Sequence, residues 1–119
     1  MKQETIDLVL KFRDDRDWKQ YHTPKDLAIS LSLEAAELLE LYQWSGTDLF
    51  CPEQVERVKE ELADVLAYCI NIADAYGLDL DEIVQAKMKK NAEKYPVALA
   101  RGSAEKYDRL GGQTDAQNG

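Results

Sequence analysis

The chain has 119 residues, 45% hydrophobic and 32% charged, which is typical of one soluble globular domain. Asp and Glu total 23 against 15 Lys and Arg, so the formal net charge is -8. This excess argues against a protein that coats a nucleic-acid polymer or an anionic membrane, because both need a basic face. The sequence has no apolar run of the roughly 18 residues that a membrane span needs and no signal-peptide core, so we expect a cytoplasmic protein.

Four helices are predicted, at about residues 3–18, 24–43, 52–76 and 79–95. Thr23 is a good N-cap, and Pro24 suits the first helical position because no needed hydrogen bond is lost there. Gly77 suits the end of the third helix, and the fourth must end before Pro96. No segment alternates with the period of a strand.

The connection between the second and third helices is short, which predicts that these two helices are antiparallel neighbours. The expected fold is therefore all-α, an antiparallel four-helix bundle. We expect one domain over residues 1–110. The Gly-, Gln- and Asn-rich residues 111–119 predict a disordered tail.

Two pairs of carboxylates stand out on the second and third helices. Glu34 and Glu37 are three residues apart, as are Glu61 and Asp64, so each pair shares a helix face. Glu34 falls within the apolar stripe of the second helix, whereas Glu40 points to the opposite side. The stripe consists of Leu27, Leu31, Leu38 and Leu41.

A carboxylate within an apolar stripe is costly unless it is paired or binds a metal. Spacing alone is equally compatible with four unrelated surface charges, and Glu34 is the residue that favours a site. Ligands that are all oxygen select hard cations, so we expect Mg²⁺, with Mn²⁺ as an alternative. The single histidine, His22, lies outside any Glu-x-x-His motif of di-iron bundles.

The fourth helix presents Lys87, Asn91 and Lys94 on one face. Such a face can bind phosphate oxygens, although Lys-rich faces are more often simply solvated. Aromatic residues form a third group, with Trp18 and His22 before the second helix, Trp44 after it and Tyr68 beside the carboxylates of the third. They can stack on a nucleobase, or they can be half-buried anchors between helices.

Together these blocks resemble the all-α nucleoside-triphosphate pyrophosphatases of the MazG-like superfamily. The resemblance rests on Glu34-x-x-Glu37, Glu61-x-x-Asp64 and Lys87-x-x-x-Asn91-x-x-Lys94-Tyr95-Pro96. Further blocks are most similar to the dCTP pyrophosphatase branch: Asp17-Trp18…His22-x-Pro24, Leu41-Tyr42-Gln43-Trp44, Asp64-Val65-Leu66-Ala67-Tyr68 and Arg101-Gly102-Ser103…Lys106-Tyr107.

The resemblance implies Mg²⁺-dependent hydrolysis of a (deoxy)nucleoside triphosphate, dCTP or a modified dCTP, to the monophosphate and pyrophosphate. It implies that the metal ligands and catalytic residues are Glu34, Glu37, Glu61 and Asp64. It also implies that the base and sugar contact Trp18, His22, Trp44 and Tyr68, and the phosphates Lys87, Asn91 and Lys94.

Family members are helical homo-oligomers, commonly dimers of dimers, and the second helix independently favours assembly. Ile29, Leu33, Ala36 and Leu39 make it apolar on the side opposite its stripe as well, so it needs cover on both sides. The expected partners are a nucleoside triphosphate and further copies of this chain, with no nucleic-acid polymer and no membrane. A broad dNTP or dUTP pyrophosphatase and a non-catalytic, metal-binding helical interaction module remain the alternatives.

Overall fold

The structure, a computed structural model, describes residues 1–43 and 54–100, without the side chains of residues 99 and 100. Its helices are α1 (Gln3–Asp15), α2 (Pro24–Glu40), α3 (Val55–Tyr76), α4 (Leu80–Lys94) and α5 (Val97–Ala100), with a 3-10 turn at Lys19–Tyr21. These ranges contain no strand, which confirms the predicted all-α class. None of the helices described combines the length and apolar character that a membrane span requires.

Helix α1 ends at Asp15, so the prediction that it continues to Trp18 is wrong. Asp17 adopts a left-handed backbone with φ 55°. The Asp17 N–H then donates to Asp14 O at 3.0 Å, and the Trp18 N–H to Arg13 O at 3.1 Å. These two bonds form a Schellman motif, which ends a helix by satisfying its last carbonyl groups. Asp tolerates the left-handed region better than most residues, and this is what places the stop here.

Helix α2 begins as its sequence predicts. Thr23 Oγ1 accepts a hydrogen bond from the Asp26 N–H at 3.2 Å, and Pro24 occupies the first helical position. The regular helix ends at Glu40, and a tighter turn follows over residues 41–43. The predicted connection to α3 and the predicted start of that helix at Pro52 lie outside the described residues.

The end of α3 and the bounds of α4 also agree with the prediction. Gly77 has φ 65°, and the N–H of Leu78 donates to Ala73 O at 2.8 Å, again a Schellman motif. Helix α4 ends before Pro96. The short helix α5 is missing from the prediction, because four residues barely complete one turn and show no apolar period.

The described chain divides into two compact units, of which the first spans residues 1–80 and the second begins at Asp81. In the first unit α3 packs against both α1 and α2. Leu27 and Leu41, at the two ends of the predicted apolar stripe of α2, are buried in its core with Ile70 and Ala73 of α3. The packing of α2 against α3 positions the site described next. The single domain expected over residues 1–110 stays a prediction.

Candidate metal centre and adjoining cavity

Helices α2 and α3 bring predicted carboxylates together. Glu34, Glu61 and Asp64 each offer one oxygen, and these oxygens lie within 4.8 Å of one another. Glu34 and Glu61 are half-buried and Asp64 is exposed, so the cluster has a buried side and an open side. The predicted clustering of acids from two different helices is therefore present for these three residues.

Glu37, the fourth predicted ligand, is exposed on α2 beside this cluster. Its carboxyl group lies close enough to those of Glu34 and Glu61 to raise the pKa of both. Burial, contact with Glu37 and the charges of Glu37, Asp64 and Glu61 together raise the pKa of Glu34 to about 7, and burial is the largest of these causes. Burial and the same neighbour also raise the pKa of Glu61. The four acids act on one another as a single electrostatic group.

This donor set fits a hard divalent cation. Glu34 Oε2 and Glu61 Oε2 are buried and make no hydrogen bond. Buried carboxylate oxygens without a partner are costly, and a cation removes that cost. Because all the donors are oxygen atoms, the chemistry favours Mg²⁺ or Mn²⁺ over softer metals.

A cavity of about 350 Å³ adjoins the cluster. Its walls are mainly apolar and aromatic, and its lining includes Trp18, His22 and Tyr68, the three predicted base-contacting residues that the structure describes. Asp64 belongs both to this lining and to the carboxylate cluster. A ligand that fills the cavity therefore lies next to the acids.

The aromatic wall is built at the end of α1. The Trp18 ring packs edge-on against the Phe12 ring, with ring centroids 5.8 Å apart and an interplanar angle of 76°. The Arg16 guanidinium lies 3.6 Å above the Phe12 ring centre. Trp18 is 45% exposed. This exposure favours a role in the wall of an open site over that of a buried anchor between helices. His22 is half-buried, and its Nδ1 has no hydrogen-bond partner.

Two polar residues of the cavity were not predicted as site residues. Arg13 is 5% exposed, and its guanidinium binds Asp14 Oδ1 at 2.8 Å and Asp74 Oδ2 at 2.7 Å. Asn71 is 7% exposed and follows Asp64 by seven residues, which places both on one face of α3. The spacing from Asp64 could have identified Asn71 as a site residue from the sequence. The sequence around Arg13 does not distinguish it from a surface arginine.

The predicted phosphate-binding residues lie on α4, in the second unit. Lys87 and Lys94 are exposed, and Asn91 is half-buried with its Nδ2 3.8 Å from Met88 Sδ. Their shared helix face agrees with the spacing. Trp44, Arg101 and Lys106 lie outside the described residues.

Comparison with known proteins agrees with these features. The sequence model of the MazG-like family matches residues 29–110. The chain is 40% identical over 113 residues to dCTP pyrophosphatase 1 of Mus musculus, covering 91% of this chain and 66% of that protein. It is 39% identical over 105 residues to dCTP pyrophosphatase 1 of Homo sapiens, covering 84% of this chain and 62% of that protein.

Among solved structures, a pyrophosphatase from Archaeoglobus fulgidus has a TM-score of 0.68 and 44% identity to this chain. The match covers 79% of this chain and 91% of that one. The chain thus spans slightly less than two thirds of the mouse and human relatives and nearly all of the archaeal structure. On this similarity of sequence and fold, the chain belongs to the MazG-like family.

Proposed function

We propose that this chain hydrolyses a (deoxy)nucleoside triphosphate, dCTP or a modified dCTP, to the monophosphate and pyrophosphate. The observation that carries the proposal is the position of Asp64, which lines the aromatic cavity and also belongs to the carboxylate cluster. A base in the cavity then places its phosphates beside the acids. The activities named for the mouse, human and archaeal relatives support the same reaction.

Glu34, Glu61 and Asp64, with Glu37 at their side, would hold Mg²⁺. A bound divalent cation would offset the charge of the triphosphate and lower the pKa of a coordinated water. This resolves the apparent conflict between an acidic protein of net charge -8 and a polyanionic substrate.

Residues of the chain would bind the base and accept a proton. Trp18, His22 and Tyr68 enclose the base, which orients the α-phosphorus toward the acids. Water attacks that phosphorus, the bond to the bridging oxygen breaks, and pyrophosphate leaves with the electron pair. Glu37, an exposed acid beside the cluster, accepts the proton of the water.

The family resemblance implies that the basic face of α4 stabilises the leaving group. Lys87 and Lys94 supply two positive charges, and Asn91 supplies an amide donor, for the departing phosphate oxygens. Substitution of either lysine by Met is then expected to lower kcat/KM without changing the metal requirement.

The test is a panel of canonical, 5-methylated and oxidised nucleoside triphosphates, with the product identified as pyrophosphate or phosphate. We expect pyrophosphate release that requires Mg²⁺ and is fastest for dCTP or a modified dCTP. Equal rates across the deoxynucleotides, or a preference for dUTP, would replace this substrate with those of the alternative pyrophosphatases. Release from no nucleotide would leave the non-catalytic interaction module.

Three variants complete this test. Glu37→Gln and Asp64→Asn keep the shape of the side chains but remove a charge from the cluster, and both are expected to abolish release. Glu40→Gln removes an exposed acid three residues from Glu37 and is expected to retain activity. Circular dichroism must show that all three variants remain helical.

We also propose that the functional form is a homo-oligomer. Ile29, Leu33 and Leu39 of α2 are 49%, 60% and 68% exposed, so the described part of the chain leaves the second apolar face of that helix largely uncovered. Covering it with a second copy would remove this apolar surface from water. Light scattering at micromolar concentration is expected to give at least twice the chain mass of 13.5 kDa, and a monomer mass contradicts the proposal.

A further inference from the structure

The orientation of the Asn71 amide is fixed by the backbone carbonyl of Ala67, which can accept a hydrogen bond but cannot donate one. Its Nδ2 donates to the backbone carbonyl of Ala67 at 2.9 Å, one turn earlier in α3. The reverse orientation would set two oxygens against each other. The other end of the amide, Oδ1, is therefore the free end, and it is an acceptor. It is buried and makes no hydrogen bond.

A buried acceptor without a partner costs free energy, so its presence on the wall of a cavity needs an explanation. Asn71 lines the same cavity as His22, whose Nδ1 is also buried without a partner. The remaining wall is largely apolar and aromatic. Two unpaired polar atoms in such surroundings are typical of a pocket in which a few groups orient a planar ligand.

We infer that Asn71 selects the nucleobase, its Oδ1 accepting a hydrogen bond from an exocyclic amino group of the base. This rests on the proposed function, in that the cavity binds the base of a nucleotide. It adds a specificity-determining residue that lies one turn beyond Tyr68 on the face of α3 that carries Asp64.

The chemistry of the base edges supports an amino group over a carbonyl. Cytosine carries an N4 amino donor where uracil and thymine carry the O4 acceptor. If the O4 acceptor of uracil or thymine faced Asn71 Oδ1, both oxygens would be left without a hydrogen bond in a place shielded from water. Binding sites discriminate most strongly against ligands that leave buried polar groups unpaired in this way. The ring N–H of uracil lies between two carbonyl oxygens, so approaching Oδ1 with that donor brings the same repulsion close by.

The test is equilibrium binding, by titration calorimetry with Mg²⁺, of the α,β-imido analogues of dCTP and dUTP. These analogues resist cleavage between the α- and β-phosphates, so the result does not depend on catalysis. For the unchanged protein we expect the dCTP analogue to bind about 10- to 100-fold more tightly, the range that one buried hydrogen bond to a base gives. Asn71→Leu, similar in size but without the acceptor, is expected to bring this ratio to within about threefold of one.

A matched control separates loss of the acceptor from general damage to the cavity. Val9→Ala shortens an apolar wall residue of the same cavity and is expected to weaken both analogues equally, leaving their ratio unchanged. Thermal melting must show that Asn71→Leu is folded. If it is not, Asn71→Ala, which removes the acceptor without adding bulk, takes its place in the same comparison.

The outcomes separate this inference from the function on which it rests. Equal binding of both analogues to the unchanged protein, or an unchanged ratio in the Asn71 variant, overturns the inference and leaves the hydrolysis intact. A ratio that collapses in the variant while no natural nucleotide is hydrolysed supports base selection and contradicts the reaction. Binding of neither analogue contradicts both.

Discussion

Glu34 on α2 and Asp64 on α3 bring carboxylate oxygens to within 4.8 Å of each other, although they are 30 positions apart in the chain. An oxygen of Glu61 lies within the same distance of both, and contact with Glu37 raises the pKa of Glu34 and of Glu61. Such an arrangement opposes folding unless a proton or a cation is shared among the acids. The site and the stability of the helix pair are therefore linked.

Mg²⁺ should stabilise the folded chain, because only the folded chain assembles the cluster. At about 100 times its dissociation constant, a ligand of this kind adds about 2.7 kcal/mol. Glu34→Gln is expected to raise the melting temperature without metal, by relieving repulsion, and to reduce the response to Mg²⁺. Scanning calorimetry with EDTA and with Mg²⁺ measures both effects. Glu40→Gln serves as the control, and an equal Mg²⁺ response in the two variants would contradict the assigned site.

Without metal, stability should fall as the pH rises from about 4.5 to about 7. The pKa of Glu34 is raised to about 7 in the folded chain, so the folded state holds a proton in this window that the unfolded state has released. The raised pKa of Glu61 acts in the same direction. Urea unfolding in EDTA at pH 5 and pH 7.5 checks the sign. A smaller slope is expected for Glu34→Gln, and a rise in stability over this window in the unchanged protein would count against the pKa assignment.

Arg13 should contribute far more to stability than a surface arginine. Its guanidinium is buried and binds Asp14 and Asp74, whose side chains remain 55% and 33% exposed. Water can rehydrate these acids, so we expect Arg13→Met to cost about 2 kcal/mol, within the range for hydrogen bonds to charged groups. The exposed pair of Lys11 with Asp15 is the comparison, and Lys11→Met should cost at most about 0.5 kcal/mol. Urea denaturation that gives equal losses would argue against a structural role for Arg13.

Gly77 should contribute to stability through its backbone conformation alone, and not through a lack of space for a side chain. Its φ is +65°, and a Cβ placed there meets no atom within 4 Å. Gly77→Ala is therefore expected to cost about 1 kcal/mol from backbone strain without any steric clash. Gly77→Asn should recover part of this loss, because Asn tolerates the left-handed region. Thermal melts of the two variants check the order of their stabilities. A loss of stability in Gly77→Asn as large as that in Gly77→Ala would contradict this explanation.

The parts of the fold that follow local rules could be predicted from the sequence. The Thr23-Pro24 start of α2, the Gly77 end of α3 and the stop before Pro96 each rest on the chemistry of one or two residues. The end of α1 could not, because Asp17 takes a left-handed conformation that its sequence permits but does not require. Glu34 was predictable because it interrupts an apolar stripe, whereas Glu37, Glu61 and Asp64 followed from their spacing of three residues and from the family resemblance.

The cavity was less accessible to sequence reasoning, since it depends on contacts between distant segments. Arg13 reads as one of several charges at the end of α1, and only its pairing with Asp74 across the helix interface shows why it is buried. Asn71 shares a face with Asp64, but its burial and the fixed direction of its amide follow from packing. Long-range contacts of this kind leave no period in the sequence.

Hydrolysis of dCTP in water enriched in ¹⁸O tests the central claim most directly, because it reports which phosphorus is attacked. With Mg²⁺ present, we predict that mass spectrometry finds one ¹⁸O in the deoxycytidine monophosphate and none in the pyrophosphate. This result would place the attack at the α-phosphorus, beside the acids of α2 and α3. Label in the pyrophosphate, orthophosphate as the first product, or the same turnover in Asp64→Asn would contradict the account.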